Sequence, residues 1–340
     1  IANSFTAAIP ITSAAISHES VVLESNTVYL FNIGTRDQWR KLNGGSADGI
    51  AAGQYQAVPF NLAGQAGIPD RILSMHTFML DVTTPGNITL KYDQLVKNDL
   101  NESTIKPWKS AQLRSSSSSE LPHVIVDVIS NESADRVWLF ENHNTTTGFD
   151  NGWDGYKIKE GELIQAYIPG SDQSDYQIAT VPDMNGTVIS IRSEAMTNYS
   201  ISLSVSPEVE SRNLFLRDLF TGRNYPVVND AEYVIAGFNT SKSDRFKIMA
   251  STSGIIEDKT ESSLINIYVR NNIITINNQS EEDCTAIVYD LMGKLVMKKQ
   301  VRKNGITEFS GSPSVRQGIY IVKVLGENNS INKTDRVLLR

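Results

Sequence analysis

The sequence predicts an all-β protein, and three observations carry that reading. Apolar residues recur at every second position over much of the chain, the period of a half-buried strand. Turn-forming clusters interrupt those runs at short intervals, at Thr84-Pro85-Gly86-Asn87, Asn151-Gly152, Pro169-Gly170, Asn185-Gly186 and Thr221-Gly222. No stretch keeps the 3.6-residue period of an amphipathic helix for more than about two turns. The expected architecture is a β-sandwich body of two sub-domains, residues 1–118 and 119–255, followed by a small C-terminal sandwich over residues 262–340.

Along the chain, His76 falls in an alternating strand with Phe78, Leu80 and Val82. A five-serine run at 115–119 has nothing apolar to bury and reads as a surface loop or a connector between sub-domains. Val124, Val126 and Val128 form one apolar face with the opposite face expected to be wet. Tyr199, Ile201, Leu203 and Val205 do the same against Ser200, Ser202 and Ser204, and Phe246 pairs with Ile248. A charged stretch, Glu257-Asp258-Lys259-Thr260-Glu261, marks the expected boundary with the C-terminal unit. There, 267–269 and 273–276 precede a hairpin in which Ala286, Val288 and Asp290 alternate with Ile287 and Tyr289. Leu291-Met292-Gly293-Lys294 supplies the bend, with Gly293 available for positive φ. Gly318 opens a strand with Tyr320, Val322 and Val324 on one side and Ile319, Ile321 and Lys323 on the other. With 337–339 the unit reaches about seven short strands, enough for an immunoglobulin-like sandwich.

Composition narrows the function classes. The chain has 340 residues, 40% hydrophobic and 20% charged, an ordinary globular balance. Residues 262–340 carry 11 Lys and Arg against 7 Asp and Glu, so the net charge of −7 resolves into +4 there and −11 over residues 1–261. An acidic body argues against nucleic acid as a partner. Cys284 is the one cysteine, so no internal disulfide forms. No run approaches the ~20 apolar residues of a membrane-spanning helix.

The C-terminal pattern resembles the sorting domain of proteins exported by the type IX secretion system of Gram-negative bacteria. The elements are the strand ending in Tyr289-Asp290, the bend with Gly293-Lys294, the strand Gly318-Ile319-Tyr320-Ile321-Val322-Lys323, and the closing Arg336-Val337-Leu338-Leu339-Arg340. The resemblance extends through the body, at Ile1 to Ile11, Ser74-Met75 with Phe78, Asp135-Arg136-Val137-Trp138 and Phe149-Asp150-Asn151-Gly152-Trp153-Asp154-Gly155-Tyr156-Lys157. It implies export, a location outside the cell or on the outer-membrane surface, and the secretion machinery as the partner of the terminal domain. It also implies a leader and a further module upstream of Ile1, and a first sub-domain truncated at its N-terminus.

The 149–157 segment is the densest candidate for a ligand site. Asp150, Asn151 and Asp154 offer hard oxygens of the kind Ca²⁺ takes, without the EF-hand spacing. Trp153 and Tyr156 beside Asp150 and Asp154 suit a sugar platform, which makes glycans the second candidate partner. The third reading, preferred here, is a tight connection in which glycines turn the chain, aromatics plug the end of a sandwich and carboxylates cap backbone N–H groups. Catalysis has little to build on. His18, His76, His123 and His143 stand singly, and no nucleophile elbow, phosphate-binding loop or nucleotide fingerprint occurs. No cofactor and no metal centre is expected. The expected function is a non-catalytic structural or adhesive module whose terminal domain is the secretion signal. The alternative is a glycan-binding or accessory module of a polysaccharide-degrading enzyme whose catalytic domain lies upstream.

Overall fold

The computed structural model describes residues 1–18, 22–32, 54–95, 120–130, 133–158, 164–193, 199–235, 244–250, 264–309, 317–326 and 331–339. The serine run, the charged 257–261 boundary and Arg340 lie outside the described residues. The protein is all-β. Among the described residues the one α-helix is the single turn Pro207–Glu210, opened by Pro207 at its first position. No described helix is long and apolar enough to cross a membrane.

The N-terminal part is built on a three-stranded sheet with Leu23–Phe31 between Tyr55–Pro59 and Phe78–Val82. Two short ribbons close it, Ile9–Pro10 with Arg71–Ile72 and Ile16–His18 with Ile88–Leu90. His76 precedes the Phe78–Val82 strand rather than lying in it, because the chain turns at Ser74-Met75, where Met75 takes φ 66°.

One hydrogen-bonded path carries most of the remainder. From one edge it runs through Asn224–Pro226, Leu214–Asp218, Phe246–Ala250, Val188–Arg192, Gln165–Pro169 and Asp175–Val181. It continues through Ala134–Glu141, His123–Ile129, Tyr199–Val205 and Ala231–Ile235 into Ile265–Arg270, Ile273–Asn278 and Gly305–Phe309. Neighbours are antiparallel except Asp175–Val181, which runs parallel to Ala134–Glu141. The path curls, so that Val124, Val126 and Val128 share one core with Leu216, Ile189 and Ile248.

The side of His123–Ile129 expected to be wet is buried. All seven of its residues are buried. Ile125 joins Trp138, Phe140 and Ile178 in a second core with Ile9, Leu62, Ile68 and Phe78 of the N-terminal part. Alternation shows that a strand has two faces, not what covers the second one. Of the two polar members of that face, Asp127 is held by a two-pronged ion pair to Arg136 on the neighbouring strand, and a ring nitrogen of His123 lies 2.9 Å from the Leu121 carbonyl. Tyr199–Val205 keeps the simpler pattern, with Ser202 and Ser204 half-buried between buried apolar neighbours.

A third core fills the C-terminal sandwich. Leu295–Val301, Cys284–Asp290, Gly318–Gly326 and Asn332–Leu339 form a four-stranded sheet in that order. Its inner residues Ala286, Val288, Val322, Val324 and Val337 pack on Ile265, Ile267, Ile274 and Ile276 of the facing strands. Cys284 lies sealed in this core. Backbone pairing of Ala231 with Arg270 and Glu232 with Val269 continues the body sheet into this sandwich, across the expected 255–262 boundary. Tyr268 contributes its ring to the body core, and Arg223 pairs with Asp335 at 2.6 Å.

Trp138 links the first two cores. It is 1% exposed and its indole N–H donates to the Ala66 carbonyl of the N-terminal part at 3.1 Å. Trp138→Ala is expected to destabilise the protein by ~3–5 kcal/mol, the usual loss for a buried large aromatic, measurable by denaturant unfolding. A loss under ~1 kcal/mol would show that the N-terminal part does not lean on this face.

Candidate functional site

The 149–157 loop is wound around its own carboxylates. The Asp150 carbonyl accepts from the N–H groups of Trp153 and Asp154, both at 3.0 Å, and Gly152 takes φ +81° to close that turn. One Asp150 carboxylate oxygen accepts from the Thr146 N–H at 2.6 Å and from the Thr146 hydroxyl at 3.0 Å. The Asp154 carboxylate accepts from the N–H of Asp150 at 2.6 Å and from the N–H of Thr180 at 2.7 Å. Asp154 is 1% exposed, and burial pushes its pKa up to about 7 against the lowering effect of those two N–H donors. Three of the four carboxylate oxygens of Asp150 and Asp154 thus accept from protein donors.

The N-terminal part closes over this loop. The Asn26 N–H donates to the Asn151 side-chain carbonyl at 2.6 Å, the Asn61 N–H to the Gly152 carbonyl at 3.0 Å, and the Thr27 hydroxyl to the Asp154 carbonyl at 3.1 Å. A Cβ at Gly155 would come within 2.6 Å of the Ala57 Cβ, so glycine is what allows the two backbones to approach. Trp153 is half-buried and packs on the N-terminal core. Tyr156 is half-buried as well, stacked on Phe149 with centroids 4.7 Å apart and planes 5° apart, and its ring leans on Tyr176. The structure therefore brings Asp150, Trp153, Asp154 and Tyr156 into one loop, turned largely toward protein.

Two buried ion pairs were not read from the sequence. Lys157 donates to Asp135 at 2.5 Å, and the second oxygen of Asp135 takes the Ala166 N–H. Arg245 forks onto Asp218 and donates to the Tyr199 hydroxyl at 2.8 Å. Both members of each pair are nearly sealed from solvent. The Asp135 and Lys157 motifs were visible, but nothing in a single sequence says that residues 22 apart meet across a sheet. Among the described residues, no three His, Cys, Asp or Glu side chains gather as a metal site.

The residues of the sorting pattern fall into three physical roles. Asp290 and Gly293 build the hairpin: one Asp290 carboxylate oxygen accepts from the N–H groups of Met292 and Lys294 at 2.9 Å each, the Gly293 N–H donates to the Asp290 carbonyl, and Gly293 has φ +79°. Tyr320 and Val322 are core, while Gly318 opens their strand. Tyr289, Lys294 and Lys323 are left toward solvent, together with the hairpin tip, where Leu291 is 63% and Met292 91% exposed.

Residues 270–337 match the secretion system C-terminal sorting domain family, a stretch that takes in the described strands of the C-terminal sandwich from Ile273–Asn278 onward. The protein thus carries a type IX sorting domain and is an exported protein of the cell surface or exterior. Beyond that domain, the chain is similar to the minor fimbrium subunit Mfa5 of Porphyromonas gingivalis, 36% identical over 344 aligned residues. That alignment covers 98% of this chain and 26% of the relative, so the chain spans about a quarter of the relative's length.

Two outcomes test the loop. Gly155→Ala is expected to cost ~1–3 kcal/mol through overpacking against Ala57, read as a lowered denaturation midpoint; an unchanged midpoint would refute the close approach. Because the folded-state pKa of Asp154 lies above its usual value, the native state binds a proton that the unfolded chain has released between the two. The contribution of Asp154 is thus complete below the ordinary carboxylate range and is lost as pH rises through about 7. Unfolding free energy should fall more steeply from pH 5 to pH 8 in wild type than in Asp154→Asn, and equal slopes would contradict this.

Proposed function

We propose that this chain is the C-terminal part of a surface-exposed bacterial protein, a non-catalytic structural or adhesive module that its last domain delivers through the type IX pathway. The observation that carries the reading is the coincidence of the sorting-family match with a sandwich over nearly the same residues. Likeness to a fimbrium subunit over nearly the whole chain supports a role in a surface fibre rather than in catalysis. Three regions fit this role, 1–118, 119–255 and 262–340. Each has a core of its own, but Ile125, Trp138, Phe140, Ile178 and Tyr268 are shared and one sheet runs on across the second boundary, which argues against independent folding.

A reporter carrying a signal peptide at its N-terminus and residues 262–340 at its C-terminus is expected outside a type IX-competent cell. Retention of that fusion in the periplasm, alongside normal export of a reporter bearing an established sorting domain, would refute the assignment.

A further inference from the structure

The residues that make the sorting pattern recognisable divide between the core, the hairpin and the solvent-facing side, where Tyr289, Lys294 and Lys323 lie. Tyr320 and Val322 point into the core, and Asp290 and Gly293 are consumed by the hairpin. A receptor that meets the folded domain must read what the core leaves out, Tyr289 and Lys323 among it. The sheet Leu295–Val301, Cys284–Asp290, Gly318–Gly326, Asn332–Leu339 uses one face for its core; the other faces away from the continuous sheet.

Strand register sets out that outer face residue by residue. Ile287 lies opposite Lys323 on one side and Lys298 on the other; Tyr289 lies opposite Ile321, which in turn lies opposite Arg336; Ile319 lies opposite Leu338. The centre is a contiguous apolar row, Ile287, Tyr289, Ile321, Ile319 and Leu338, each half-buried by its neighbours or exposed. An outer sheet face in water normally alternates to polar residues; here Thr285, Gln300, Thr334 and Asn332 lie toward one end, and the apolar row occupies the other. Its charged members among the described residues, Lys298, Lys323 and Arg336, are all basic. The row runs on toward the exposed hairpin tip at Leu291 and Met292.

We propose that this outer face is the surface by which the secretion machinery grips the folded sorting domain. The proposal rests on the export reading above and names the contact it uses. The occupant is a protein component of that machinery presenting an apolar ridge flanked by carboxylates. Two observations select it: the domain matches a family defined by delivery to a secretion system, and a basic rim around an apolar centre complements an acidic rim. Among the described residues the body meets the opposite side of the domain, where Asp335 pairs with Arg223.

The test uses the full-length protein expressed in a type IX-competent host. Ile321→Glu combined with Lys323→Glu should reduce the exported fraction at least tenfold, with the protein accumulating in the periplasm and the thermal midpoint of the purified variant near wild type. Lys91→Glu, an exposed site in the N-terminal part, controls for net charge and should export normally. Lys323→Gln with Arg336→Gln removes the rim charge while keeping the apolar row, and covers the case in which the first variant fails to fold; it should reduce export several-fold. Wild-type export of a folded outer-face variant overturns the proposal while leaving the sorting assignment intact. Failure of the wild-type protein itself to leave the cell overturns both.

Discussion

Burial of both faces of the strands His123–Ile129, Ala134–Glu141 and Asp175–Val181 is the constraint on which the rest of the molecule depends. One face closes the body core through Val124, Val126, Val128, Val137 and Leu139. The other supplies Ile125, Trp138, Phe140 and Ile178 to the N-terminal core. A small three-stranded sheet with two ribbons has too little apolar surface to stand well alone, and the shared face gives it a wall. Once that wall is fixed, the 149–157 loop must pass along the seam between the two parts, which explains why its glycines sit against Ala57 and Asn61.

That position changes the meaning of the loop. Two carboxylates and two large aromatics in a glycine-rich turn have the composition of a ligand site, but their geometry is that of a clasp. Asp150 and Asp154 hold backbone N–H groups, and carbonyls of Gly152 and Asp154 receive donors from the N-terminal part. Lys157 at the end of the loop ties it to Asp135 beneath the sheet. Breaking a buried pair by removing one partner generally costs ~3–5 kcal/mol, because it leaves a charge unmatched in the interior. These contacts hold the polar groups of the loop within the protein.

Much of this was legible in the sequence. Period-two patterning located most strands of the terminal sandwich but not Gly305–Phe309, and Asp290 with Gly293 marked the bend that the structure shows at that place. The strand Tyr199–Val205 kept its apolar side, while the serine side expected to be wet is half-buried at Ser202 and Ser204 and buried at Ser200. What was not legible depends on contacts between distant residues. Alternation at Val124, Val126 and Val128 could not say that the N-terminal part would cover Ile125. Charge at 257–261 suggested a break, but could not say that Ala231 and Glu232 pair with Arg270 and Val269. The Asp218–Arg245 pair likewise joins neighbouring elements through a contact that neither segment announces.

The 149–157 loop is tied into the seam between the N-terminal part and the body by hydrogen bonds to backbone groups, and that is the central structural claim. Amide hydrogen exchange on the intact protein tests it most directly, since the clasp is made of named N–H groups. The account predicts that the amides of Asn26, Asn61, Asp150 and Thr180 exchange slowly, in step with those of Ala134–Glu141. Rapid exchange at those four positions while the Ala134–Glu141 strand stays protected would mean that the loop stands open, and would return it to the list of candidate binding surfaces.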